Sequence, residues 1–166
     1  MALFQNMSTL EDLYVHTLQD IYYAENQIVT ALTKMSTMAT DPTLRQGFEQ
    51  HRVESENHIS RLDQVFGMLG LSPKGTDCPA IDGLIEEANS IAGDIDDKSA
   101  LDAALAASAQ AVEHYEISRY GTLIAWSQEL GRNDAAALLK QNLDEEYAAD
   151  QKLTKVAEAR LNRQAS

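Results

Sequence analysis

The chain is poor in the residues that interrupt helices or cross-link chains. Its 166 residues include three prolines, eight glycines and one cysteine, and only 6% are aromatic. The alternation of apolar and polar residues that is typical of strands is nearly absent. Because 44% of the residues are still hydrophobic, we predict a single all-α domain with a core of leucine, isoleucine and alanine.

Positive charge is also scarce. Thirteen lysine and arginine residues oppose twenty-six aspartate and glutamate residues, which gives a formal charge of −13 at pH 7. Such a surface repels the phosphates of nucleic acids and anionic membranes, and it attracts cations. We therefore expect no nucleic-acid partner.

Long apolar runs are missing too. No stretch approaches the ~18 apolar residues of a membrane span, and the first residues lack the basic segment of a secretory signal. The single cysteine, Cys78, cannot form an internal disulfide and is compatible with a reducing compartment. We expect no membrane association, a cytoplasmic location, and an inert Cys78 thiol rather than a link between two chains.

Four long helical patterns dominate what is present. Apolar residues recur at intervals of three and four along residues 8–39, 42–69, 99–130 and 133–161. The candidate N-caps are Ser8 in a capping box with Glu11, Asp41 before Pro42, Ser99, and Asn133. Gly70 and Gly131 mark helix ends.

The connections indicate how these helices are arranged. Short links join helices one to two and three to four, so each pair forms an antiparallel hairpin. The middle connection, residues 70–98, holds a short amphipathic segment and can cross the length of a bundle. Two hairpins joined by one long crossover form a ferritin-like four-helix bundle. An up-and-down bundle with a long loop is the alternative.

Each helical pattern carries acidic residues on the side that should be buried. Glu25, for example, shares a row with Ile21 and Ile28. The full set of such residues is Glu25 on the first helix, Glu54 with His51 and His58 on the second, Glu113 and Glu116 on the third, and Glu146 and Asp150 on the fourth. Buried carboxylates in this number are tolerated only if positive charge lies among them.

Metal ions would supply that charge, because Arg61 and Arg119 are the only basic residues near these rows. Carboxylates and imidazole suit iron or manganese, and we predict two such ions. The predicted ligands are Glu25, Glu54, His58, Glu113, Glu116, Glu146 and Asp150. Their spacing repeats, since 29 residues separate Glu25 from Glu54 and 30 separate Glu116 from Glu146.

Taken singly, each of these residues is more typical of a helix boundary than of a ligand, and only their coincidence across four helices favours a site. Three tyrosines lie near the carboxylates: Tyr22, Tyr115 and Tyr120. They could carry a radical or hydrogen-bond a ligand, although packing is the commoner role of a core tyrosine.

Several segments resemble the YciF-like bacterial stress proteins, a branch of the ferritin-like superfamily related to rubrerythrins and bacterioferritins. They include "TLEDLYVHTLQDIYYAENQI", "QAVEHYEISRYGTLIAWSQELG" and "LDEEYAADQKL". The resemblance covers about residues 8–160. It implies a bundle with a short fifth helix in the crossover, a homodimer, a general stress role and a di-iron or related centre. By position it implies the ligands Glu25, Glu54 (bridging), Glu113, Glu116 and Glu146.

The chain departs from the Glu-x-x-His pattern that ferritin-like centres generally use in each hairpin. Asn57 follows Glu54 by three residues and Ala149 follows Glu146 by three. His58 and Asp150 stand one residue later, rotated by about 100° around the helix. They are either ligands or groups that orient the glutamates.

Two functions therefore remain open. The first is a di-metal protein that handles Fe(II), peroxide or dioxygen, with turnover as an oxidoreductase as its stronger form. The second is a non-enzymatic stress-related dimeric scaffold with a vestigial site. Leu13, Trp126 and Leu130 form a candidate dimer face. The net charge disfavours a DNA-protecting ferritin relative, and a cage-forming iron store lacks support.

Overall fold

A computed structural model describes residues 7–166, and within this range the protein is entirely helical. Five α-helices are present: α1 (Leu10–Met38), α2 (Pro42–Met68), α3 (Pro79–Gly93), α4 (Lys98–Glu129) and α5 (Asn133–Val156). A π-helical turn, Ala157–Leu161, and a last helical turn, Asn162–Gln164, extend α5. The predicted all-α class is confirmed.

The ends of the helices show the topology. The side chain and backbone N–H of Thr40, after α1, donate to the Asp102 carboxylate near the start of α4 at 2.6 and 2.7 Å. At the opposite end of the bundle, Ser127 of α4 donates to the Tyr14 hydroxyl of α1 at 2.8 Å. Helices α1 and α4 are therefore antiparallel, so α2 and α4 begin at the same end. The long crossover of a ferritin-like bundle is confirmed.

The crossover packs back onto the bundle through α3. The Tyr23 hydroxyl of α1 donates to Asp82 of α3 at 3.0 Å. Before α3, the chain passes so close to α1 that a Cβ on Gly75 would lie 3.0 Å from the Cβ of Tyr23, which favours glycine there. Cys78 follows; it is 3% exposed, and its sulfur lies 2.9 Å from the Tyr115 hydroxyl.

Helix α1 begins at a different cap from the one predicted. The predicted capping box of Ser8 and Glu11 is wrong, because Thr9 and Asp12 form the box one residue later. Both candidate boxes pair a hydroxyl side chain with a carboxylate three residues later in the chain. The Asp12 carboxylate also accepts from the N–H of Ser8 at 3.0 Å.

Two further predicted caps are also wrong. Asp97 rather than Ser99 caps α4, and its carboxylate accepts from the N–H of Ala100 at 2.8 Å. Asn133 is the first residue of α5, which follows Arg132 without a side-chain cap. The predicted cap Asp41 is confirmed, and so are the helix ends at Gly70 and Gly131, whose φ angles are +68° and +70°.

The core divides into three levels along the bundle. Tyr14, Leu62 and Phe66 are fully buried at one end. Leu44 and Phe48 are at most 2% exposed at the other. Between these apolar layers, the middle turns of the four long helices bring buried polar residues together. No helix within residues 7–166 is long and apolar enough to cross a membrane.

Candidate metal centre

The middle layer of the bundle is a buried cluster of carboxylates and imidazoles. Six residues form it: Glu25, His58, Glu116 and Glu146, which are 0% exposed, with Glu113 at 2% and His51 at 5%. All four long helices contribute, since each apolar stripe described above carries its mid-length polar residue inward. The cluster is sealed at both ends by the apolar layers.

Ligand atoms in this cluster converge in two groups. The His51 group contains His51, Glu113, Glu116 and Glu146, and the His58 group contains Glu25, His58 and Glu146. Within each group, one ligand atom from every residue lies within 4.8 Å of the others. Glu146 belongs to both groups, which is the arrangement of a carboxylate shared by two adjacent cations.

The His51 ring is held from both sides. Its Nδ1 atom lies 3.1 Å from the Glu54 carboxylate, which is nearer the surface. Its Nε2 atom faces the cluster, 3.1 Å from Glu113 and 3.4 Å from Glu146. A proton on Nδ1 would be shared with Glu54 and would leave the Nε2 lone pair directed into the cluster.

The His58 ring is also held from both sides, but here Nε2 is the outer nitrogen and Nδ1 is the inner one. Its Nε2 atom lies 2.8 Å from Glu145, which also accepts two hydrogen bonds from Arg61 at 2.9 and 3.0 Å. Its Nδ1 atom faces the cluster, 3.0 Å from Glu25 and 2.9 Å from Glu146. Each histidine therefore has one outer glutamate that fixes the ring and one nitrogen available to the centre.

Two polar side chains complete the surroundings of the His58 group. The Tyr120 hydroxyl donates a short hydrogen bond to Glu25, and the Asn142 amide donates to the Tyr120 oxygen at 3.1 Å. The oxygen of the same amide accepts from Arg61 at 2.9 Å. The His58 group is thus embedded in a continuous hydrogen-bond network that reaches the surface at Arg61 and Glu145.

The His51 group contains several buried carboxylate oxygens that have no hydrogen-bond partner. Both oxygens of Glu116 and the Oε2 atom of Glu113 are buried without a hydrogen-bond partner. In the His58 group, the Oε2 atom of Glu25 is likewise buried without a hydrogen-bond partner. Buried oxygens without partners are costly, and a cation placed among them would satisfy them together. Oxygen atoms with one imidazole nitrogen per group are a donor set that fits iron or manganese.

Protonation shifts reflect this crowding. Burial raises the pKa of Glu113 and Glu116 well above its usual range, and for Glu116 the neighbouring Glu146 and Glu25 add to the effect. Burial opposes the charged form of the histidines, but the carboxylates outweigh it: the pKa of His51 is well raised, and Glu25 and Glu146 raise that of His58 to about 10. Burial likewise opposes ionisation of Glu146, yet its close contacts with Glu113 and both histidines lower its pKa.

Bound iron or manganese would supply Lewis acidity and, for iron, one-electron chemistry with peroxide or dioxygen. The residues of the chain would do the rest. The glutamates would balance the charge of the ions, the apolar layers separate the cluster from water at the two ends of the bundle, and the Tyr120 hydroxyl holds Glu25 in place. Binding would displace the protons that the cluster otherwise carries.

The structure brings five of the seven predicted ligands into the two groups: Glu25, His58, Glu113, Glu116 and Glu146. It places Glu54 beside the outer nitrogen of His51 and 3.9 Å from Lys152, outside both groups. Asp150 also lies outside them, where it accepts from Gln110 at 3.0 Å and lies 3.2 Å from His114. Ligation by any of the seven residues remains a prediction.

Of the three tyrosines considered above, only Tyr120 contacts the cluster. Tyr22 packs edge-on against Phe66, and Tyr115 lies against Cys78 and beneath Arg119. The predicted ligand set omitted His51, although it stands seven residues before His58 on the same helix face. Asn142 and Glu145 were missed as supporting groups; Asn142 stands four residues before Glu146 in the same helical row, and Glu145 directly precedes it, and these positions could have indicated them.

The chain thus has a ferritin-like four-helix fold with a histidine–carboxylate cluster in its core. Residues 9–166 match the family described as Domain of unknown function (DUF892), and the chain belongs to that family. It is 44% identical over 161 residues to Protein YciF of Escherichia coli (strain K12), covering 96% of this chain and 97% of that protein.

Solved structures agree. The crystal structure of the E. coli stress protein YciF superposes with a TM-score of 0.90 over 94% of this chain and 99% of that one. The protein YcfI from Rhodopseudomonas palustris is 57% identical and superposes with a TM-score of 0.91, covering 93% and 99% of the two chains. A two-domain protein from Anabaena variabilis with a ferritin-like domain is 21% identical and shares the fold, with a TM-score of 0.65 over 93% of this chain and 38% of that one.

Proposed function

We propose that this protein binds two iron or manganese ions in the core of its bundle and uses them to handle peroxide, dioxygen or Fe(II) during bacterial stress. The stress context comes from the E. coli relative, which is described as a stress protein. The centre would hold one ion in the His51 group and one in the His58 group, with Glu146 between them.

Glu116 is the observation that carries this proposal. It is fully buried, neither carboxylate oxygen has a hydrogen-bond partner, and it lies among Glu113, Glu146 and His51. A leucine or alanine at this position would avoid the cost of an unpartnered buried carboxyl group. Metal binding gives the carboxylate a role that packing does not.

The test is metal content and reactivity. Protein purified without chelators or a histidine tag is stripped, reloaded anaerobically with Fe(II) or Mn(II), and analysed by inductively coupled plasma mass spectrometry. We expect about two ions per chain, and oxidation of bound Fe(II) on addition of peroxide or dioxygen. Absence of bound metal would refute the proposal, and binding without oxidation would restrict it to metal binding.

A matched pair of variants locates the ions. Glu116→Gln should lower metal content, whereas Glu129→Gln, an exposed glutamate on the same helix, should not. Equal loss in both variants would mean that the ions bind the acidic surface rather than the core.

The second candidate is a scaffold in which the cluster carries no ions. It is favoured by the positions of His51 and His58, because two protonated imidazoles would offset two of the buried carboxylates. In that state Glu113 and Glu116 would be protonated, as their raised pKa values allow. Unchanged thermal stability after exposure to Fe(II) and Mn(II) would support the scaffold.

We also propose that the protein acts as a homodimer. The candidate face contains Leu13, which is 39% exposed, with the partly buried Trp126 and Leu130. Light scattering should give twice the chain mass, and Leu13→Glu should shift the protein towards the monomer. A monomeric wild-type protein would refute this assembly.

A further inference from the structure

A cavity between α2 and α5 opens beside the centre. It has a volume of about 380 Å³, within the range of small-molecule sites. Its walls are mainly apolar, formed by Leu44 and Phe48 of α2 and by Leu153 and Val156 of α5. Its inner end is formed by His51 and Glu113, two members of the His51 group. The cavity therefore connects the outside of the bundle to one side of the centre.

The rim of the cavity has the opposite charge from the rest of the protein. Lys152 and Lys155, both exposed on α5, stand on it. The one carboxylate on this rim, Glu54, is hydrogen-bonded to Gln50 and His51 and lies 3.9 Å from Lys152, which leaves Lys155 as the lysine of the rim that Glu54 does not contact. In a chain of formal charge −13, an apolar cavity with two lysines at its entrance is complementary to an anion with an apolar tail.

Gly47 keeps the cavity open from the α2 side. It lies within the helix, where glycine is less favourable than alanine, and it lines the cavity. A Cβ at this position would meet nothing within 4 Å, so no close helix contact demands glycine there. A larger side chain would extend into the cavity.

We propose that this cavity binds a medium-chain carboxylic acid, with its carboxylate at Lys152 and Lys155 and its tail between Phe48 and Leu153. The end of the tail then lies near His51, next to the centre. A role for this acid as an organic substrate whose tail end approaches the centre rests on the proposed metal-binding function. Binding to the cavity itself does not.

The first experiment is isothermal titration calorimetry of the full-length protein with decanoate and with decanol. We expect one saturable decanoate site per chain and weaker binding of decanol, which lacks the charge. Gly47→Leu should weaken decanoate binding by about tenfold or more, because its side chain would occupy the cavity. No saturable binding of decanoate to the wild-type protein would overturn the proposal.

A glycine at the other end of the same helix provides the control. Gly67 also has open space at its Cβ but lies away from the cavity, so Gly67→Leu should bind decanoate as the wild type does. The double variant Lys152→Gln/Lys155→Gln should weaken decanoate binding and leave decanol binding unchanged. Equal weakening of both ligands would overturn the placement of the carboxylate at these lysines.

Two measurements keep this proposal separate from the metal proposal. Glu116→Gln should lower metal content and still bind decanoate, whereas Gly47→Leu should keep its metal content and bind decanoate more weakly. Light scattering on Gly47→Leu tests another occupant of the cavity, a second copy of the chain. A change of oligomeric state in this variant would identify a subunit interface and overturn the ligand proposal.

Discussion

The His51 group and the His58 group are the two halves of the cluster, and they differ in how the cost of burying their carboxylates is compensated. In the His58 group, Tyr120 and Asn142 extend the contacts of Glu25 and His58 into a hydrogen-bond network. In the His51 group, Glu116 has no partner for either oxygen. Both groups share Glu146, and each has a histidine fixed from outside by a glutamate, at 2.8 Å for His58 and 3.1 Å for His51.

The difference shows where a cation contributes most. Hydrogen bonds compensate part of the burial cost in the His58 group, so that half depends less on an ion. The His51 group has more carboxyl groups and fewer donors, and it stays buried at a cost unless protons or an ion occupy it. The cavity proposed above opens onto this second half.

The largest effect is expected from replacing Glu146, the carboxylate that both groups share. Glu146→Gln should abolish binding of both ions. It should also destabilise the metal-free protein by about 3–5 kcal/mol, because two buried imidazoliums lose their common counter-charge. Urea unfolding and metal analysis measure the two effects. Asp144→Asn, an exposed neighbour on α5, is the control, and retention of two ions by Glu146→Gln would contradict the shared-ligand geometry.

Glu116→Leu should separate the halves. The variant should lose the ion of the His51 group, while the metal-free protein becomes more stable by about 1–3 kcal/mol because an unpartnered carboxyl group leaves the core. Metal analysis should give about one ion per chain. A metal-free variant less stable than the wild type would show that Glu116 has a stabilising partner.

Rising pH should destabilise the metal-free protein. His58 titrates near 6.5 when unfolded and near 10 when folded, so its stabilisation is fully present below pH 6.5 and is lost as the pH rises towards 10. The raised pKa values of Glu113 and Glu116 act in the same direction above the ordinary glutamate range.

Thermal unfolding with chelator at pH 6, 8 and 10 tests this expectation, and Tm should fall at each step. His114→Gln, which changes an exposed histidine, should leave the slope unchanged. A Tm independent of pH over this range would mean that the cluster does not hold its protons as described.

Smaller effects are expected from the outer glutamates. Glu145→Gln and Glu54→Gln should each keep two ions but weaken metal affinity by about 10–100-fold, since each carboxylate fixes a histidine ring. Competition with a chelating dye measures the affinities. Loss of a whole ion in Glu54→Gln would instead support Glu54 as a ligand, as the family resemblance implies.

The smallest effect should come from Asp150. Its carboxylate lies 3.0 Å from Gln110 and 3.2 Å from His114, which is 68% exposed. Asp150→Asn should therefore leave both the number of ions and their affinity unchanged. Loss of metal from this variant would place Asp150 in the centre despite its position.

Sequence periodicity was sufficient to predict the helices and most of the polar residues that face the core. Glu25, Glu113, Glu116 and Glu146 stand in continuous apolar rows, so their burial follows from the helix repeat. The crossover length indicated the topology because a short link cannot run along a bundle.

Helix rotation is what the sequence left undetermined. On α2, His51, Glu54 and His58 all lie near one face, and the rotation of the helix decides which of them faces the axis. Packing against α1 and α5 sets that rotation, and it turns His51 and His58 inward and Glu54 towards the rim. The caps show the same limit, since Ser8 and Thr9 offer overlapping boxes and the start of the helix selects one.

The most direct test of the centre is an anomalous difference map from crystals loaded anaerobically with Fe(II), recorded at the iron absorption edge. The structure predicts two peaks per chain on either side of the Glu146 carboxylate, one next to His51 and Glu116 and the other next to His58 and Glu25. A map with no peak among these side chains, or with peaks only on the acidic surface, would contradict the account.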